Sequence, residues 1–190
     1  MANWACETVY FENAGEENTG ETLRLAKRRA EERGINTIVV ATTYGNTCLK
    51  ALEMFAGSNV ICVTHCTGFR EPNVQFLSEE TRTKLQNRGA TVLTCTHAFG
   101  GVGRGIKNKL QAHQIDEIIA HVLRIFGQGT KVGIEIVLMA ADAGLIRTDA
   151  DVISIAGTHS GADTALVIRP ANTHNFLDLK VREIICKPRL

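Results

Sequence analysis

Ile38-Val39-Val40-Ala41-Thr42-Thr43-Tyr44-Gly45-Asn46-Thr47 carries the strongest fold signal in the chain. A β-branched apolar run stops in a short loop of hydroxyls, one glycine and one amide. A helix-compatible stretch, Cys48-Leu49-Lys50-Ala51-Leu52-Glu53-Met54-Phe55, follows at once. Strand, small polar loop and helix together aim backbone N–H groups and a helix N-terminus at an anion.

The same cadence recurs on either side. A capping-box spacing, Asn18 to Glu21, opens a charged helix that Gly34 closes. Strands are predicted at 36–41, 59–64 and 90–95, separated by helices that end near Gly57 and Gly89, the second capped by Ser78. That is the rhythm of βαβ units on a parallel sheet. Residues 8–11 read as a short lead-in strand. Residues 98–108 read as a glycine-rich mobile segment, from which Arg104 could reach a phosphate. Ile115, Ile118, Ile119, Val122 and Phe126 have helical spacing, so 114–126 is an amphipathic helix. Residues 130–143 are apolar almost all round, predicting a buried helix capped by Thr130 and stopped by Gly144. Strands at 152–156 and 164–169 form a hairpin, and 179–186 is a last, outer strand. One domain, 1–190, is expected.

Composition excludes several classes. The 21 basic residues nearly balance the 20 acidic ones, so neither a nucleic-acid surface nor a polybasic membrane patch is indicated. No apolar run is long enough to span a bilayer, and Met1-Ala2-Asn3-Trp4 leads into acids rather than a signal-peptide core. The six cysteines include no CxxC, and Cys48, Cys62, Cys95 and Cys186 lie in apolar runs. Free thiols in a reduced, cytoplasmic protein are therefore expected.

Chemistry concentrates after the strands. The loops are Thr42-Thr43-Tyr44-Gly45-Asn46-Thr47, Thr64-His65-Cys66-Thr67-Gly68-Phe69, Thr96-His97-Ala98-Phe99 and Gly157-Thr158-His159-Ser160-Gly161. Each alone is ordinary loop chemistry. Four along one edge of a parallel sheet mark a ligand site, because open α/β sheets bind outside their strand carboxyl ends. The glycine spacing at 101–105 does not match the dinucleotide fingerprint. The Thr-His pairs at 64–65, 96–97 and 158–159 raise a metal site, but no HxH, HxxxH or HExxH spacing accompanies them. No metal is expected; neutral imidazoles bonded to ligand or loop are. Glu135 and Asp142, in the apolar helix, call for partners, with Arg169 a candidate.

These residues carry a family likeness. Thr42-Thr43-Tyr44-Gly45-Asn46-Thr47 and Ile155-Ala156-Gly157-Thr158-His159-Ser160-Gly161 resemble the C-terminal α/β domain of pyruvate kinase. The closer resemblance, carried by Tyr44-Gly45-Asn46-Thr47-Cys48-Leu49-Lys50, Met139-Ala140-Ala141-Asp142-Ala143-Gly144 and Gly161-Ala162-Asp163-Thr164-Ala165-Leu166-Val167-Ile168-Arg169-Pro170, is to stand-alone, chiefly archaeal proteins of that type. It implies a three-layer α/β/α sandwich with strand order 3-2-1-4-5, strand five antiparallel. It also implies flavin mononucleotide (FMN) as ligand, with no assigned reaction, and no pyruvate kinase activity, because the catalytic barrel is absent. On this expectation Thr42, Thr43, Gly45, Asn46 and Thr47 hold the phosphate, with amides of Gly157, Thr158 and Gly161 opposite. Tyr44, His65, Phe69 and His97 border the ring, and Thr64 and Gly68 complete the cofactor-binding set. Catalytic residues are not assigned, and flavin oxidoreduction is the reaction class to test. The alternative is a non-catalytic sensor for a phosphorylated metabolite. The apolar outer helix and the last strand favour self-association.

Overall fold

The computed structural model describes residue 3 and residues 5–189. Met1, Ala2 and Trp4, and with them part of the N-terminal signal reading, lie outside the described residues. In chain order the elements are β1 (Val9–Phe11), α1 (Thr19–Arg33), β2 (Thr37–Ala41), α2 (Asn46–Met54), β3 (Asn59–Thr64), α3 (Glu79–Asn87) and β4 (Thr91–Thr94). Then follow α4 (Val102–Leu110), α5 (Ile115–Arg124), α6 (Gln128–Asp142), β5 (Val152–Ala156), β6 (Thr164–Arg169) and β7 (Lys180–Pro188).

One seven-stranded sheet runs β1-β7-β6-β5-β2-β3-β4. Its β4-β3-β2-β5-β6 portion is the expected 3-2-1-4-5 order. The pairs β2·β3, β2·β5 and β3·β4 are parallel, while β6 runs antiparallel to both of its neighbours. The last strand is not the edge: β1 pairs beyond it, Val9 opposite Cys186. β5 is buried along its whole length, and β6 to its last residue, because helices cover both faces.

Two cores flank the sheet. One packs α1, α2 and Leu85 of α3 against Ile38, Val40, Ile153 and Ile155. The other packs α6 and Ala120 of α5 against Val39, Ile61, Val63, Leu166 and Ile168. The alternation of Ile38, Val39 and Val40 between the two cores is the period-two pleat of a strand buried on both sides. α6 lies close on the sheet because Gly133 has no side chain: a Cβ there would sit 3.0 Å from Leu166 Cδ1. The Ser154 hydroxyl donates to the Gly133 carbonyl at 2.8 Å, pinning helix to strand.

The structure corrects several local expectations. Residues 102–110 are helix rather than mobile loop, ended by Gln111 at φ 55°. Asn18 does not cap α1 with its side chain, since its amide donates to Asn13 O and Gly15 O while Glu21 pairs with Arg24. Gly34 does close α1 at φ 64°, and Ser78 Oγ accepts from Thr81 N as expected. α6 starts at Gln128, so Thr130 is inside its first turn, donating to Phe126 O. Arg169 pairs with Asp151; Glu135 pairs with Lys131, and Asp142 accepts from Asn172 and Thr173. Cys48 and Cys62 form a disulfide where α2 lies on β3, so the expected free thiols are Cys6, Cys66, Cys95 and Cys186 only. Among the described residues, no helix is long and apolar enough to cross a membrane.

Candidate functional site

A cleft of about 1300 Å³ opens along the carboxyl edge of β2, β3, β4 and β5. α1, α2 and α6 all begin there, so three helix N-termini face one cavity.

The first wall is the 42–47 loop. Thr42 N donates to Val63 O at 3.0 Å, and Thr42 Oγ1 accepts from Gly45 N at 3.0 Å, which folds the loop over its own start. Gly45 occupies the N-cap position of α2 at φ 98°, with no side-chain cap. The first amides of α2 are thus left for another acceptor. Thr42, Thr43, Tyr44, Asn46 and Thr47 line the cleft; Gly45 turns its α-carbon toward Thr81 and Leu77.

The second wall is the β5–β6 turn, where Gly157, Thr158 and Gly161 line the cleft. Asp163, fully buried, organises it. One carboxylate oxygen accepts from both Thr158 N and Gly15 N at 3.1 Å, and the other accepts from Thr164 Oγ1 at 2.8 Å. The Thr158 amide, expected to face a phosphate, is therefore already engaged. Glu16 and Glu17 also line this side, and Ser160 donates to Glu16 at 2.7 Å. An acidic wall repels phosphate and suits hydroxyl or N–H donors.

Between the walls stands an aromatic shelf from the ends of β3 and β4. Phe69 stacks on His97 at 5.0 Å between centroids and lies 4.6 Å from His65; the two imidazoles are 5.3 Å apart. Phe76 extends the shelf toward Tyr44, with centroids 6.0 Å apart. Burial holds the His97 pKa down to about 4 and lowers that of His65, so both rings are neutral at pH 7. His97 Nε2 accepts from Cys66 N at 3.4 Å, which fits a ring carrying its proton on Nδ1. Thr64 lines the cleft, while Gly68 turns the loop at φ 81° without lining it. Among the described residues no group of three His, Cys, Asp or Glu side chains gathers as metal ligands.

The α6 side carries charge that the sequence reading did not assign. Lys131 and Glu135 form a buried ion pair one helical turn apart, and Phe99 N donates to the other Glu135 oxygen at 3.0 Å. Burial lowers the Lys131 pKa, Glu135 opposes that, and Arg124 and Arg104 lower it further. Arg104 lies over the Phe69 ring at 5.2 Å and Arg70 over Phe76 at 5.3 Å. Arg124 donates to Gln128 at 2.7 Å. Elsewhere arginines meet carboxylates, as Arg29 meets Glu183 and Arg169 meets Asp151. Among the described residues no carboxylate pairs with Arg70, Arg104 or Arg124, and all three line the cleft. One signal for the buried pair was readable: a Lys and a Glu four apart in an apolar helix satisfy each other.

Residues 21–168 match the family described as pyruvate kinase, alpha/beta domain. The chain belongs to that family. Among solved structures it is similar to a pyruvate kinase from Cryptosporidium parvum at 15% identity and TM-score 0.41, covering 79% of this chain and 23% of that one. A Cryptosporidium parvum pyruvate kinase in complex with ADP is 15% identical at TM-score 0.37, covering 77% of this chain and 22% of that chain. The chain thus spans less than a quarter of those enzymes' length. The described residues of this pyruvate kinase α/β-domain protein form one sheet and its helices, without a (β/α)8 barrel.

Proposed function

We propose that this pyruvate kinase α/β-domain protein is a cytoplasmic binder of a phosphate-bearing ligand, with FMN the ligand that its cleft fits best. The observation that carries the reading is the set of arginines lacking carboxylate partners beside an aromatic shelf in one cleft. Unpaired guanidiniums at a cavity wall are sites for an anion. A shelf of Phe69, His97 and His65 matches the flat, π-rich body of a flavin. The volume, about 1300 Å³, admits a mononucleotide.

In this reading the uncapped start of α2, with Thr42, Thr43, Asn46 and Thr47, holds the phosphate. Glu16 and Glu17 accept from the ribityl hydroxyls, and Phe69 and His97 support the ring. A bound flavin supplies hydride or single-electron transfer, and flavin oxidoreduction is the reaction class to test. Neutral His65 and His97 add no charge beside the ring, while Arg104 offers positive charge there. The test is a comparison of FMN with riboflavin by flavin-fluorescence titration. FMN is expected to bind at least about tenfold more tightly, the share of one charge-assisted phosphate contact. Equal affinities would contradict the phosphate assignment.

A second reading is a non-catalytic sensor of a phosphorylated metabolite. It is favoured by cationic groups on both sides of the sheet edge, Lys50 of α2 and Arg124 of α5 with Lys131 of α6, which give the cleft more than one place for a phosphoryl group. Protein that ignores FMN but melts higher with a sugar bisphosphate would select it.

A further inference from the structure

We infer that the outer face of α5 is the contact surface between two copies of this chain. α5 is apolar on more of its circumference than its own fold uses. One side carries Ala120, Ile119 and Leu123 into the core beneath α6. The other side exposes Ile115 by 76%, Ile118 by 52%, Val122 by 54% and Ile125 by 71%, with Phe126 following at 49%. Those first four positions are spaced three, four and three, the a/d seam by which one helix packs knobs into the holes of another. A helix needing only one buried side has no use for this second stripe.

The seam with Phe126 leaves on the order of 600 Å² of apolar surface in water, near the share that one partner contributes to a standard interface and at the top of the range for the largest patch on a monomer. α4 packs beside α5 and adds Val102 and Leu110, exposed by 82% and 69%. An antiparallel pairing about a twofold axis opposes the helix dipoles favourably. A lipid surface is a poorer match, because the polar positions of α5 carry both signs rather than a lysine-rich face. The inference is independent of what the cleft binds.

Sedimentation equilibrium on the whole chain, with and without phosphatidylcholine–phosphatidylserine vesicles, tests it. The wild type is expected at twice its 20.7 kDa chain mass. Ile118→Glu with Val122→Glu is expected to weaken association at least about 100-fold while leaving the circular dichroism spectrum unchanged. Leu177→Glu, at a position 84% exposed and outside this face, is expected to remain dimeric. Should the double variant lose helical signal, Ile115→Lys at the most exposed seam position reads the same effect. A wild type at 20.7 kDa throughout, a dimer that survives every seam variant, or a monomer that floats with vesicles would each overturn the inference.

Discussion

His97 is the residue whose environment has the most measurable consequence. Its neutral form is favoured in the fold, where burial takes the pKa from 6.5 to about 4. The unfolded chain therefore takes up a proton first as pH falls. Stability from this group is fully present above pH 6.5 and drains away down to about pH 4. The loss is on the order of 2 kcal/mol, after discounting for partial exposure. Urea unfolding of wild type and His97→Gln between those limits is expected to show a difference curve with that sign; parallel curves would contradict the buried neutral imidazole. The Lys131–Glu135 pair behaves differently. Glu135→Ala leaves a buried ammonium without a partner and is expected to cost about 3 kcal/mol in chemical denaturation. Lys131→Met with Glu135→Gln, which keeps an acceptor for Phe99 N, is expected to recover most of that. Equal losses in both variants would argue that the pair is not buried as described.

At the scale of elements, the sheet was legible because its strands are short apolar runs closed by glycine and polar loops. Ile38 to Ala41 or Val152 to Ala156 admits little else. α4 was not legible. Gly103 and Gly105 lower its intrinsic helicity, and contact with α5, where Asp116 abuts Gly103, holds it in place. The loop residues of the cleft were readable from their place after strands. Arg70 and Arg124 were not, because whether a cation is paired depends on neighbours distant in sequence. Asp163 is the sharpest case. It reads as a turn residue, yet its carboxylate joins the β5–β6 turn to the segment before α1 by accepting from Thr158 N and Gly15 N. Asp163→Ala strands three donors, two of them backbone amides, and is expected to cost about 2 kcal/mol. Amide hydrogen exchange at Gly15 and Thr158 is expected to accelerate together. Exchange that rises at one amide alone would contradict the shared acceptor.

For the whole molecule, the topology explains why one edge carries so much chemistry. The chain reverses direction across the sheet between β2 and β5, so the loops after those strands part and leave a crevice. α2 starts on one side of the sheet and α6 on the other, which brings a hydroxyl-lined cradle and a cationic wall to the same cavity. Membership in the pyruvate kinase α/β-domain family accounts for the scaffold. The aromatic shelf and the unpaired arginines are what this chain adds to the argument for a flat, anionic ligand.

The most direct measurement is FMN binding to the wild type and to Thr47→Val, a buried cleft hydroxyl whose loss changes side-chain volume little. Gly45 is the wrong position to vary, since its positive φ and its contact with Thr81 would report strain instead. Saturable binding of one FMN per chain is expected in the wild type, with affinity about tenfold weaker in a Thr47→Val variant of unchanged melting. Absence of saturable FMN binding, or equal affinity in the folded variant, would contradict the FMN assignment.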